Sequence, residues 1–473
     1  MGSESSDTNN NLSLYHRIIN IPEITDPALP NECCIYKVPV NLRQVKEKIY
    51  TPKLISIGPF HHGKNEFSQM EKQKQRYFHF FWERLSNKQA LLKYEGYLRQ
   101  NEHKIRSCYS EKYDDNEKTG FLDMILLDAV FITELFLRNS DKSEQVNDYM
   151  FTQPWIGKTI QRDLLLLENQ LPIFVLQELY EAVVPREKKR YDKFHHLAHK
   201  YFESFDPLKS PNESAPTSDD TKQKRTSSFR ELLPKYNNPQ KNNENWKNWE
   251  DSIHFTDLIR NLHLPKELGD LGPSPSVLRN AVKLNEAGIS FEKLTDRRLL
   301  DINLQKKQPF SHFLCLSCLP YFNCFKARLQ IPQLRVDHTT ECVLRNLIAF
   351  EQCHYPYSPY ICNYVSLIDS LIHTTDDVEL LVETQVIVHE LGSHKELATL
   401  VNGLCKHVVT DSTCYSQIIF DLNQHYRNLW NRTMAALRLV YFRDPWRSSS
   451  TVVGIAVLVF TIVNFCRVIR LGI

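Results

Sequence analysis

The densest run of metal-type side chains is His312, Cys315, Cys318 and Cys324 in SHFLCLSCLPYFNC, spaced H-x2-C-x2-C-x5-C. Structural zinc takes four soft ligands, usually as two knuckles separated by a loop, and this run is one crowded knuckle without a distal pair. Its Phe, Leu and Tyr content points to buried thiols, with reversible palmitoylation as a second option. Two histidine pairs also fall short. His389-Glu390 with His394 resembles the H-E-x-x-H zinc motif, but the second histidine comes one residue late, and on a helix that offset turns the rings about 140° apart. His195 and His199 have i, i+4 spacing without a third ligand or a general base, and read as solvated helix histidines. No metal and no cofactor is expected.

Four carboxylates sit in apolar context: Asp128 and Glu134 in LLDAVFITELF, Asp163 and Glu168 in DLLLLENQLP. A carboxyl raised in pKa by burial can serve as a general acid, and glycoside hydrolysis uses two across a cleft. Neither pair shares a helix face, their offsets being i+6 and i+5. Hydrogen bonds from Glu168, Asn169 and Gln170 to capping or crossing segments are the simpler reading. GxSxG, Walker A and GxGxxG patterns are absent, and SIGPFHHGK lacks the glycine spacing of a phosphate loop. No catalytic residue is assigned. The alternative to a binding protein is a membrane-tethered, hydrolase-like enzyme using these four carboxylates.

The elements that would position such groups are helical. Only 13 glycines occur in 473 residues, which disfavours phosphate loops and many-stranded architectures. Phe121 to Leu137 is apolar on most faces and free of Gly and Pro, as a buried helix requires. Asp376 with Glu379 resembles a capping box opening a helix that runs through Leu391 to a stop at Gly392. Ser393 with Glu396 starts the next, with Leu397, Leu400, Val401, Leu404 and Val408 as its core stripe. From Tyr415 to Tyr441 the period continues as one long helix, which YFRDPW breaks at its proline. The expected fold is mainly α: a multi-helix globular body over 31–446 with few short strands, and one C-terminal transmembrane helix.

Residues 1–30, punctuated by Pro22, Pro27 and Pro30, read as a disordered lead-in, and about 207–248 as a disordered insert. The charge balance of 58 Lys+Arg against 56 Asp+Glu gives no global field for nucleic acid, and no nucleic-acid partner is expected. Basic Lys222 to Arg225 is a solvated linker. The twelve cysteines form no compact disulfide framework and are expected as reduced thiols.

Ser448 to Cys466 contains no formal charge over 19 residues, which as a helix spans roughly 28 Å, the hydrocarbon thickness of a bilayer. Tyr441, Phe442 and Trp446 suit an interfacial aromatic belt, and Arg447, Arg467 and Arg470 can snorkel to head groups. The expected partners are the lipid bilayer and an unknown protein. Arginines at both ends leave orientation open. The short tail and the lack of an N-terminal signal peptide favour a tail anchor with a cytosolic body, at the plasma membrane or an endomembrane. The sequons at Asn11, Asn212 and Asn431 would matter only for a lumenal or extracellular body, and MGSESS fits the loose N-myristoylation pattern at Gly2.

Several blocks occur in an order that resembles the plant "domain of unknown function 247" family: SIGPFHHG (Ser56 to Gly63), ME with Lys74 and Tyr77, DLLLLENQLPIFVL (Asp163 to Leu176), RNLIAFEQC (Arg345 to Cys353), LGSHKELATLVNGL (Leu391 to Leu404), and YFRDPW before an apolar tail. The resemblance covers Cys33 to the C-terminus. The chain departs from it where the family often has Asp-Gly-Cys and this sequence has Asp128-Ala129-Val130, and the cysteine-rich run near Cys315 looks like an insertion. The resemblance implies helical proteins with a C-terminal membrane anchor, some associated with pollen–stigma self-incompatibility in grasses. It implies recognition or signalling and supplies no catalytic residues.

Overall fold

In this computed structural model the described residues are 29–471 except 112–119, 147, 185–190, 192, 206–248, 266–268, 274–276, 296, 307–326 and 442–444. The lead-in, the insert and the cysteine run with His312, Cys315, Cys318 and Cys324 therefore lie outside them, apart from residues 29 and 30 of the lead-in. The protein is 62% helical, with 18 α-helices and few short strands among the described residues, as the glycine count and the apolar periodicity suggested.

The first half holds α1 (Val40–Val45), α2 (Ser68–Arg84), α3 (Gln89–Gln100), α4 (Glu102–Ser107), α5 (Phe121–Ser140), α6 (Tyr149–Thr152), α7 (Pro154–Asp163), α8 (Ile173–Val183), α9 (Phe194–Tyr201) and α10 (Phe255–His263). Helix α5 is apolar nearly all round because α2, α3, α8 and α9 surround it. Its Phe136 ring stacks on Tyr201 at 4.3 Å and on Phe194 at 5.7 Å, and meets Phe202 edge-on. Asp128, Ala129 and Val130 lie in mid-helix and are buried. They form no turn, so the family's small-residue position is a packing position here.

The second half holds α11 (Ala281–Glu286), α12 (Thr340–His354), α13 (Tyr360–Leu371), α14 (Thr375–Glu383), α15 (His394–Leu404), α16 (Ser416–Arg427), α17 (Leu429–Tyr441) and α18 (Pro445–Leu471). Short strands join them: β1 (Gly272–Pro273), β2 (Ile289–Leu294), β3 (Asn303–Gln305), β4 (Ala327–Pro332), β5 (Leu334–Val336), β6 (Ile387–His389) and β7 (Ser412–Thr413). Strand β4 is central in a three-stranded sheet, parallel to β2 with Ile289 opposite Ala327 and antiparallel to β3. Strands β5 and β6 pair in parallel, and β1 pairs antiparallel with β7. One hydrophobic core runs from Cys34 to Leu422 across both halves.

Two helix expectations are corrected. The capping box lies at Thr374 and Asp377, two residues before the pair read from sequence, and its helix ends at Glu383. Gln385 then turns through the left-handed region at φ 57, and the following β-branched Val386, Ile387 and Val388 suit a strand better than a helix. The expected single helix from Tyr415 to Tyr441 is two, α16 and α17. Asn428 between them is extended (ψ 109), and its Oδ1 accepts the Trp430 N–H at 3.0 Å. The helix at Ser393 starts as expected, with the Ser393 hydroxyl accepting the Glu396 N–H and the Glu396 carboxylate accepting the Gly392 N–H, but it ends at Leu404, so Val408 of the expected stripe lies beyond it.

Candidate functional site

The loop Leu164–Pro172 between α7 and α8 has no room for regular structure, so its backbone groups need partners from elsewhere. The LENQ side chains and their neighbours meet the same need in the segments around them. Asp163 accepts the backbone N–H groups of Lys53, Leu54 and Ile55 at 2.7–3.1 Å and an Arg162 Nη1 bond at 2.8 Å. Asn169 accepts the Ile57 N–H at 2.6 Å and donates to Ile55 O and Asp163 O. Gln170 donates to Leu164 O and Leu166 O and accepts the Phe255 N–H at 2.9 Å. Glu168 accepts the Val38 N–H at 2.7 Å and pairs with Arg43 and His61. All four are buried.

The SIGPFHHG segment is held from its other side by a buried ion cluster. Lys74 Nζ on α2 lies 2.6 Å from Asp128 Oδ1, 2.6 Å from Glu71 Oε1 and 2.5 Å from Ser56 O. Asp128 Oδ2 also accepts the Gly58 N–H at 2.8 Å. Lys74 is fully buried, and a buried ammonium is tolerable when each of its three donors has an acceptor. Gly58 has φ 69, and a Cβ there would lie 2.7 Å from the Gln170 carbonyl oxygen. Only glycine supplies both that backbone and that clearance.

The electrostatics follow from these contacts. Burial raises the carboxyls of Asp128 and Asp163 above the ordinary range, with Lys74 opposing in the first and the backbone N–H groups and Arg162 in the second. Glu168 differs: burial alone would raise it, but His61, Arg43 and the Val38 N–H outweigh burial and hold it below. Glu134 is clasped by Arg84 through both oxygens and by Arg138 at 2.7 Å. Each of the four sequence candidates for acid–base chemistry thus braces the fold. None of them lines the roughly 310 Å³ groove between α2 and α5 or the 230 Å³ cavity beside Tyr360 and Cys414.

Two later motif blocks join the same brace. Asn346 of RNLIAFEQC accepts the Leu167 N–H at 3.0 Å, and Glu351 pairs with Arg260 at 2.7 Å and accepts the Cys362 N–H. Arg345 donates to Gly403 O in LGSHKELATLVNGL at 3.1 Å. Blocks separated by more than a hundred residues are therefore one connected polar network.

Among the described residues, no group of three His, Cys, Asp or Glu side chains could hold a metal ion. His389 and His394 approach to 5.3 Å between ring centroids. The helical geometry expected to separate them does not apply, because His389 ends β6 and His394 opens α15. His195 is half-buried against Ser252 O and His199 packs on Trp249 at 4.9 Å, so they are packed rather than solvated.

At the far end of the molecule, Ser449–Arg467 in α18 is one helix long and apolar enough to cross a membrane, with mean hydropathy 2.0 and none of it buried in the protein. Arg467 is exposed at its end. The side chains of Tyr441, Phe442, Trp446, Arg447 and Arg470 fall outside the described residues.

Comparison with known proteins adds one family and two relatives. The plant protein family of unknown function DUF247 matches residues 35–460. The chain is similar to a UPF0481 protein of Arabidopsis thaliana, 28% identical over 458 residues that cover 93% of this chain and 87% of the relative. It is also similar to a second UPF0481 protein of the same plant, 24% identical over 500 residues, covering 91% and 90%. No solved structure matches.

Proposed function

We propose, from the premise that this chain belongs to the plant DUF247 family, that it is a single-pass membrane protein whose helical body works by recognising another protein in the cytosol. The observation that carries the reading is the unburied apolar stretch Ser449–Arg467 at the end of a body whose own core is complete without it. A soluble helix of this composition would bury its side chains against protein; here Val457, Phe460 and Phe465 are all more than half exposed.

A cytosolic body is supported by Arg432, Arg438, Arg443 and Arg447, which lie on the body's side close to the apolar stretch, since positive residues near a span favour the cytosolic side. Protein recognition is supported by where the polar groups point. The motif carboxylates are consumed internally, whereas Val146, Tyr149 and Trp155 around α6 and α7 are 70%, 45% and 57% exposed, and exposed aromatics suit a protein contact.

The test is topology of the full chain in plant membranes. Resistance to alkaline extraction, a body cut by protease from the cytosolic side and no shift with endoglycosidase are the expected results. Glycans at Asn11, Asn212 or Asn431 on a protease-protected body would overturn the orientation, and release by alkali would overturn the anchor.

A further inference from the structure

Two stretches distant in sequence meet on the surface at the end of the body next to the apolar helix. The guanidinium groups of Arg279 and Arg432 lie over the Tyr426 ring at 5.5 and 5.1 Å, joining the loop before α11, the end of α16 and the start of α17. Asn423 Nδ2 reaches Val277 O at 3.5 Å, and Ala435 on α17 packs 3.4 Å from where a Cβ on Gly288 would stand. Helix α17 in turn contacts α18. The patch is anchored on the body and continuous with the proposed membrane span.

Its outward chemistry is mixed in a specific way. Val277, Leu429 and Trp430 are 84%, 74% and 64% exposed, and Arg279, Arg427 and Arg432 stand exposed among them. Among the described residues none of these arginines has a carboxylate partner, while nearby Glu286 is paired with Lys283 at 2.9 Å and Asp421 with Lys306 at 2.8 Å. Residues 427–447 hold five arginines and one aspartate, a formal +4. The whole chain has 58 basic and 56 acidic residues, so the remainder holds 53 and 55, a formal −2. Positive charge is concentrated beside the span.

We propose that this patch docks on anionic phospholipid headgroups of the leaflet that α18 enters, with Trp430 and Leu429 in the interfacial layer and the three arginines on the headgroups. The inference rests on the anchor reading and adds to it an orientation of the body on the membrane. Unpaired arginines beside a span meet a negative leaflet within a Debye length, and Trp is the side chain that best tolerates the interface.

The experiment reconstitutes the full chain into vesicles of phosphatidylcholine alone or mixed with phosphatidylserine, with brominated acyl chains as quenchers. The signal is the Trp430 fluorescence, taken as the difference between the natural chain and Trp430→Phe. Quenching is expected in the phosphatidylserine vesicles, weak in phosphatidylcholine alone, and reduced by added salt. Reversing Arg279, Arg427 and Arg432 to Glu should lower the docked-to-undocked ratio by at least roughly a hundredfold, from about fivefold per arginine lost. An alkaline wash in each case separates the two readings, since chain released by alkali fails the anchor reading. Chain retained but with Trp430 unquenched, or quenched alike in both vesicle types and after charge reversal, overturns docking on anionic lipid.

Discussion

The loop between α7 and α8 and the α16–α18 end of the molecule use similar residues in opposite directions. Around the first, Glu168 of the loop, Asp163 at the end of α7, Lys74 on α2 and Asp128 on α5 are buried with their partners. In the second, Arg279, Arg427 and Arg432 stand exposed with no carboxylate partner among the described residues. Buried charge requires complete local pairing, because an unmatched ion in low dielectric is costly. Exposed charge has no such requirement, because water solvates it. The most recognisable blocks of this chain thus serve folding, whereas the proposed docking patch of Arg279, Arg427 and Arg432 lies outside them.

The largest effect is expected at the span. Replacing Val457 and Phe460 together with Arg places two charges in an apolar stretch, at a cost of about 5–7 kcal/mol to insertion. The chain should then leave the alkali-resistant membrane fraction while its body keeps its circular dichroism and cooperative unfolding. Loss of the body's fold instead would mean that α18 belongs to the core.

Next in size is Lys74→Met, which strands the Asp128 carboxylate and should lower stability by about 3–5 kcal/mol in urea unfolding. Adding Asp128→Asn removes the stranded charge and keeps an acceptor for the Gly58 N–H, so the double variant should recover a large part of that loss. A double-variant loss equal to the sum of the two single losses would show that the two side chains act independently. Gly58→Ala follows, with an expected loss of about 2 kcal/mol from its φ of 69 and the Gln170 carbonyl; a neutral result would mean the loop moves freely.

The smallest effect should appear with pH. Glu168 has a lowered folded pKa, so its stabilisation is present above the ordinary value of 4.5 and is lost as pH falls through the folded value. Asp128 and Asp163 have the opposite sign. Their folded pKa values are raised, so they bind protons more readily when folded and their contribution declines as pH climbs above the ordinary 3.8. Glu168→Gln should cost about 1 kcal/mol near neutrality and flatten the acid limb of a melting-temperature profile below pH 4.5. An unchanged acid limb would transfer that dependence to another group.

Much of the helical order is legible along the chain. Helix α5 is recognisable because an apolar run without Gly or Pro has few other ways to satisfy its backbone, and α15 because Ser393 and Glu396 cap it locally. The helix read through Leu391 fails because β6 exists only by pairing with β5, some fifty residues earlier. The single helix read from Tyr415 to Tyr441 fails for a related reason: it breaks at Asn428, α17 packs near Gly288, and periodicity carries no record of that neighbour. Internal hydrogen bonding by Glu168, Asn169 and Gln170 is readable as residue chemistry, but their partners Val38, Ile57 and Phe255 are not.

The sequence by itself therefore determines the helical class, the apolar C-terminal stretch, the family and the absence of familiar catalytic spacing. Each is a property of composition or of residues within a few turns of one another, where covalent connection already sets the distance. Tertiary structure alone decides that the four carboxylates face inward, that His389 and His394 meet, and that Arg279 and Arg432 share Tyr426. Those outcomes depend on contacts between segments whose separation along the chain says nothing about their separation in space.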